Sequence, residues 1–185
     1  MAEREPGVTA EQRVLDDRAR ALAVPRRVEE DGSESRDVVA FAVGAERYAI
    51  EIGFVREVRP LEKGVFCRVP CAPPFVVGIV NVRGRIFGVL DLGAYCGLAP
   101  RPLTESAHIL IVSTAGQGSA GRETGILADG KPAAHRLRGD RLRPPPEAVS
   151  AGLQGFIHGV TEEMLVFLDI GRLLDDPKMI VRDRE

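Results

Sequence analysis

One apolar pattern occurs twice in this chain, and it restricts the fold more than any other feature. Residues 75–92 read FVVGIVNVRGRIFGVLDL. An apolar run of Phe75, Val76, Val77, Ile79 and Val80 pauses at Asn81-Val82-Arg83-Gly84. It then resumes with Ile86, Phe87, Val89 and Leu90 before Asp91. Two β-branched or aromatic runs around a polar, Gly-containing corner predict a β-hairpin or a sharply bent strand pair. Phe75-Val76-Val77-Gly78-Ile79 aligns with Phe156-Ile157-His158-Gly159-Val160 at an offset of 81 residues. Val89-Leu90-Asp91-Leu92-Gly93 aligns with Phe167-Leu168-Asp169-Ile170-Gly171 at an offset of 78.

Each half of the chain therefore carries strand, turn, strand and Asp, and the first copy is expected to have the longer corner, by three residues. A repeat of this size predicts two related β units. With about five short strands each and turn signals between them, they read as small barrels or sandwiches in an all-β fold. What the copies share is expected to be scaffold. What the first adds, the corner from Asn81 to Gly84, is the expected contact surface. Asn and Gly tolerate the left-handed backbone such a corner needs. Arg83 at its tip is expected to be displayed.

The remaining elements read as follows. Thr9 and Gln12 fit a capping box at the start of a helix over residues 10–23, with Val14, Leu15, Ala19 and Leu22 near helical spacing. Pro25 ends it, and a charged linker covers residues 26–37. Val39, Phe41 and Val43 share one face of a strand; residues 44–47 form a turn, and Tyr48-Ala49-Ile50 returns. Residues 52–58 fit either a short helical turn or an irregular strand. Further strands are expected at 65–69, 108–113, 125–128, 156–160 and 164–170, with a brief helix within 91–98. The expected division is an extension at 1–36, a body at 37–176 and a charged tail at 177–185.

Composition narrows function by exclusion. The chain has 185 residues, 25 basic and 27 acidic side chains, no Trp and two Tyr. A near-neutral charge and few stacking rings argue against nucleic acid. No apolar run approaches ~18 residues and the first residues lack a signal pattern, so a cytoplasmic protein without membrane insertion is expected. Cys67, Cys71 and Cys96 lack zinc-site spacing and read as reduced thiols. His108, His135 and His158 show no metal-ligand spacing. Ser106, Ser113 and Ser119 lack the nucleophile-elbow context. The Gly-rich run at 116–121 is not followed by a helix, so it lacks the platform for phosphate. Asp91 and Asp169 each follow a strand and precede a short helix, as N-caps do. No enzyme, cofactor or metal is expected; a protein-binding module is.

The body resembles the CheW family of bacterial chemotaxis coupling proteins. The resemblance covers residues 37–176. It rests on Pro73-Pro74-Phe75, on Gly78 to Gly84, and on the strand that ends in Asp91-Leu92. Tyr48-Ala49-Ile50 with Val55-Arg56-Glu57-Val58 is similar to the family's early segment, and residues 156–174 to its C-terminal one. The resemblance implies two SH3-like, five-stranded β-barrel subdomains side by side, with the N-terminal helix as an addition. It implies a non-enzymatic adaptor joining a chemotaxis histidine kinase to the cytoplasmic tip of methyl-accepting chemoreceptors. The kinase regulatory domain would pack on the first subdomain and the receptor tip would lie between the two. By motif, Val55, Asn81 and Arg83 would face the receptor, and Glu57, Gly78 and Gly84 the kinase. An adaptor of a non-chemotactic array, serving surface motility or second-messenger output, would share this biochemistry. A small-ligand sensor or enzyme using the loop at 116–121 is the opposing reading. Two departures stand out: Gly88 where the family places Pro, and Lys131-Pro132 in a usually apolar stretch, where an irregular strand is expected.

Overall fold

Alternating side chains on the longest apolar runs enter two different cores, and this organises the whole chain. The computed structural model describes residues 35–62, 65–99, 101–115, 121–146 and 152–179. The helix read at 10–23 lies outside them. Strands β1 (Ser35–Val43), β2 (Glu46–Glu51), β3 (Val55–Pro60), β4 (Phe66–Cys67), β5 (Val76–Val82) and β6 (Arg85–Leu90) come first. Helix α1 (Leu92–Tyr95), β7 (His108–Ser113), β8 (Glu123–Arg138), β9 (Ile157–Val160), β10 (Leu165–Leu168) and helix α2 (Ile170–Leu174) follow.

These strands make two small SH3-like barrels that share β8. Its first part pairs with β7 antiparallel and, at Gly125 and Ile126, with β6 parallel. With the β5 and β4 pairings beyond β6 and the β3 pairing beyond β7, this is barrel 1. From Asp129 onward β8 pairs with β1, and the order continues through β2, β10 and β9 as barrel 2. Arg143 closes barrel 2 through two 2.9 Å backbone hydrogen bonds with Val160. The barrels are not the two halves of the chain, because β1 and β2 join the C-terminal strands.

Three apolar clusters result. Val80, Val82, Phe87, Val89, Ile109, Ile111 and Leu127 fill barrel 1. Val38, Ala40, Ala49, Leu137, Leu165 and Phe167 fill barrel 2. Between them lies the largest, with Val39, Phe41, Leu110, Val112, Ile126, Val166 and Leu168 at its centre. In β7, Ile109 and Ile111 point into barrel 1 while Leu110 and Val112 point into this seam. β1 and β10 alternate in the same way between barrel 2 and the seam. Burial on both faces explains why these strands read as continuous apolar runs.

Several local outcomes sharpen the sequence reading. Residues 52–58 are both of the alternatives, a 3-10 turn over Ile52–Phe54 and then β3. The strand read at 125–128 lies near the start of a 16-residue strand. The irregular strand expected at Lys131-Pro132 is its continuation, interrupted by Gly130, with φ +76°, and by Pro132. There the β1 register jumps from Ala42↔Asp129 to Ala40↔Ala133, a bulge that absorbs Lys131 and Pro132. The strand read at 65–69 is reduced to the two residues of β4, since the Pro70 to Pro74 stretch turns the chain away. Asp91 caps α1 by accepting from Gly93 N and Ala94 N, and Asp169 caps α2 by accepting from Arg172 N.

One polar contact bridges the barrels beside the seam. Asp91 is 1% exposed and accepts 2.8 Å from Gly93 N and 3.2 Å from Arg101 Nη2. Arg101 also pairs with Asp129, at the point where β8 passes from one barrel to the other. Asp129 in turn accepts from Gly44 N in the β1–β2 turn at 2.6 Å. Removing the guanidinium strands a buried carboxylate, which costs about 3 kcal/mol. Arg101→Ala should therefore lower the urea midpoint at unchanged slope. Asp91→Asn in the Arg101→Ala background should recover part of the loss, because a neutral amide still accepts from Gly93 N.

Candidate functional site

The corner from Asn81 to Gly84 is built by a two-residue hairpin turn. Val82 pairs with Arg85, and Arg83 and Gly84 take φ of +52° and +83°. Left-handed conformations at both central positions match the right-handed twist of the flanking strands. The left-handed pair is thus Arg83-Gly84, while Asn81 supports the turn with its side chain, accepting 2.9 Å from Gly84 N. The three residues that the first copy adds do not lengthen the loop. They extend the strands: β5 and β6 run for seven and six residues, against four each in β9 and β10. The second copy turns through the wider segment between Val160 and Leu165, with Met164 at φ +59°. The first corner is a longer arm with a tighter tip.

Arg83 stands on that tip with 81% of its side chain exposed, 3.5 Å from Glu57 on β3. A pair this exposed contributes little to folding, ~0.5 kcal/mol or less. Its consequence is geometric, since it links the hairpin tip to β3 on one surface. Glu57 is there because β3 bulges at Arg56. The register passes from Val55↔Val112 to Glu57↔Ile111. Val55 consequently lies against the seam with Val112, while Glu57 follows Ile111 toward barrel 1. Arg56 donates to Ala115 O at 2.8 Å and holds the bulge.

The structure therefore gathers Glu57, Asn81, Arg83 and Gly84 on one surface, and places Val55 and Gly78 elsewhere. Gly78 is buried beneath β4, where an added Cβ would lie 2.4 Å from Cys67 O and 2.5 Å from the Phe66 ring. Its repeat counterpart, Gly159, meets Leu142 and Arg143 O at 3.0 and 3.1 Å in the same sense. Both glycines let a closing segment approach. Ile86 is a surface residue that the sequence reading took for scaffold. It sits directly across from Asn81 and is 69% exposed. Period-two alternation from the buried Phe87 was the signal that would have turned it outward. Nearby Arg85 pairs with Glu123 and lies over the Phe87 ring, 5.2 Å from its centre. The corner thus offers an exposed aliphatic side chain beside a displayed cation.

Of the Gly-rich run, residues 116–120 lie outside the described residues. Among the described residues no three of His, Cys, Asp and Glu could hold a metal ion. No helix among them is long and apolar enough to cross a membrane.

The CheW-like domain family matches residues 37–178. The chain is 29% identical to the chemotaxis protein CheW of Klebsiella aerogenes over 151 residues, covering 80% of this chain and 87% of that one. It is 27% identical to Protein PilI of Pseudomonas aeruginosa, covering 79% and 78%. The crystal structure of the scaffolding protein TtCheW from Thermoanaerobacter tengcongensis superposes with a TM-score of 0.58 at 25% identity, covering 73% of this chain and 89% of that one.

The two glycines of the first hairpin should respond differently to substitution. Gly78→Ala drives a Cβ into backbone and should cost about 2 kcal/mol or more, of the order of an overpacked core. Gly84→Ala meets no neighbour within 4 Å and carries only the left-handed backbone cost, about 1 kcal/mol. Thermal melts of the two variants should fall in that order.

Proposed function

Because the chain belongs to the CheW-like domain family, we propose that it is a non-enzymatic adaptor. In this reading it couples methyl-accepting chemoreceptors to a chemotaxis histidine kinase in a cytoplasmic signalling array. The observation that carries the reading is the tip of the β5–β6 hairpin. Arg83 is held out by a left-handed turn, tied only weakly to Glu57, and flanked by the exposed Ile86. Such a cluster has no folding role large enough to account for it, and Arg is among the residues enriched at interface hot spots. The kinase regulatory domain would pack on barrel 1 against Glu57 and Gly84, with Gly78 shaping that side through β4. The receptor tip would lie in the groove between barrels, within reach of Val55, Asn81 and Arg83. The seam position of Val55, half-buried against the shared core, supports its assignment to the groove.

The similarity to Protein PilI favours a second reading with the same biochemistry, an adaptor of an array other than a chemotactic one. Which kinase and which receptors the full chain captures distinguishes the two.

The test is co-purification of the full chain with the kinase regulatory domain and a receptor-tip fragment encoded beside it. Wild type should bind both. Arg83→Glu should weaken binding of at least one partner about ten-fold, the loss expected for a hot-spot residue. Its melting temperature should stay that of wild type, as for exposed substitutions in general. Absence of binding by wild type, or full binding by Arg83→Glu, would refute the proposal.

A further inference from the structure

Barrel 2 carries a charged surface unrelated to the corner on barrel 1. At one mouth of the barrel, where β2 and β10 begin and β8 ends, the buried Leu137 and Leu165 floor a concavity of about 250 Å³. Its charged lining is lopsided: Arg47, Arg136, Arg138 and Arg141 against the single carboxylate of Glu163, with His135 beside them. The fold dictates this convergence. Arg47 is the register partner of Leu165 in the parallel β2–β10 pair. Arg136 and Arg138 flank the inward Leu137 on β8, and Arg141 ends the 3-10 turn that follows.

The arginines differ in how far they are satisfied. Arg136 Nε lies 3.1 Å from Asp37 Oδ1, and Arg138 reaches Asp140 at 3.3 and 3.1 Å. Neither Asp37 nor Asp140 lines the concavity. Among the described residues, Arg47 and Arg141 close no ion pair; Glu163 on the β9–β10 turn lies in the field of both, and Asp140 in that of Arg141 as well. Its own backbone N–H and the Thr161 side chain, and then Arg141 and Arg47, hold its carboxyl below the usual range. The molecule thus displays in this mouth the kind of group the mouth accepts, on a side chain that is itself exposed.

We infer that this mouth binds an acidic segment of a partner protein. Arg47 and Arg141 receive its carboxylates, and Glu163 is a built-in competitor that they displace. A carboxylate fits better than a phosphate dianion, because Arg136 and Arg138 keep their own partners and two guanidiniums are left to receive single negative charges. Guanidinium forks take carboxylates in planar, two-bond geometry, which gives the site orientation as well as charge.

The experiment is titration of the full chain with a labelled synthetic oligoglutamate peptide, followed by fluorescence anisotropy at low and at physiological salt. Binding should weaken with salt, as screened surface pairs do. The Arg47→Glu/Arg141→Glu double variant should weaken it about ten-fold, and Glu163→Gln should tighten it about three-fold, in the range of exposed charge pairs. No binding by wild type, or binding unchanged by the double reversal, overturns the inference. So does inorganic phosphate that binds at the same arginines more tightly than the peptide. If the double variant does not fold, Glu163→Gln decides alone: tightening supports the inference, and no change or weakening overturns it.

Discussion

Strand β8 belongs to both barrels, and no other element imposes so much on the rest. A strand that leaves one sheet and enters another must present apolar side chains to whichever face is closed at each point. Ile126 and Ala128 face the seam and Leu127 faces barrel 1; past the bulge, Leu137 faces barrel 2. The seam exists because β8 holds the two sheets back to back. Its apolar area can be withdrawn from water only if both barrels are formed. Neither barrel is therefore an independent folding unit. The buried Asp91, with Arg101 and Asp129, adds direction to that non-directional attraction, because it fixes α1 against the point where β8 changes sheets. A polar cluster in a low-dielectric region is costly unless every member is satisfied. Here each carboxylate also accepts from a backbone N–H, Gly93 for Asp91 and Gly44 for Asp129.

The duplicated hairpin supplies an approximate symmetry that the chain order conceals. Phe75 and Phe156 are counterparts in the repeat, and both pack edgewise on one Tyr95 ring, at 5.5 and 6.5 Å. Their carbonyls accept from the backbone N–H of the two capping residues, Asp91 at 2.9 Å and Asp169 at 2.7 Å. Tyr95 has no second copy. Its hydroxyl donates to Asp176 at 2.8 Å, and burial first, then Asp176, pushes the phenol well above its ordinary range. Asp176, held low chiefly by the Lys178 N–H, ties the segment after α2 to the same ring. The repeat thus meets itself through a residue that belongs to one copy, and the C-terminal turn packs over that junction.

Much of the scaffold was legible because its causes are local. The apolar runs, the glycine-bearing hairpins and the two Asp caps each follow from side-chain type and spacing. What stayed hidden depends on partners distant in sequence. Apart from the irregular strand that the resemblance implied at Lys131-Pro132, the later part of β8 looks like loop, since Gly130 and Pro132 interrupt it and Ala133 to Arg136 are exposed. It is a strand because β1, nearly a hundred residues earlier by number, offers its edge there. The direction of the three-residue difference between the hairpins was also beyond local reading. An offset places the extra residues between two strands without saying whether they enter the loop or extend the ladder. The short Arg83-Gly84 turn decided it, because both residues reach left-handed conformations and the ladder can continue to Val82 and Arg85. At the site, four of the six chosen residues share a surface. Val55 departs because of the bulge at Arg56, and Gly78 because its small size is required by β4.

What closes a barrel is separate in each hairpin from what decorates its tip. Gly78 and Gly159 perform the same steric task, allowing Phe66-Cys67 in one barrel and Leu142-Arg143 in the other to come close. The seam side of each hairpin is equally constrained, by Phe75 with Leu90 in the first and Phe156 with Leu168 in the second. Neither constraint reaches the tips. Arm length and turn type can therefore change with little effect on the core, as hairpin ends generally allow. In barrel 1 the freedom yields a long arm and a tight turn that sets Arg83 far out. In barrel 2 it yields short strands and a wider turn that sets Glu163 among arginines. The two tips differ in charge, reach and neighbours while standing on the same packed base. The shared strand and seam are what make those hairpin ends free to vary.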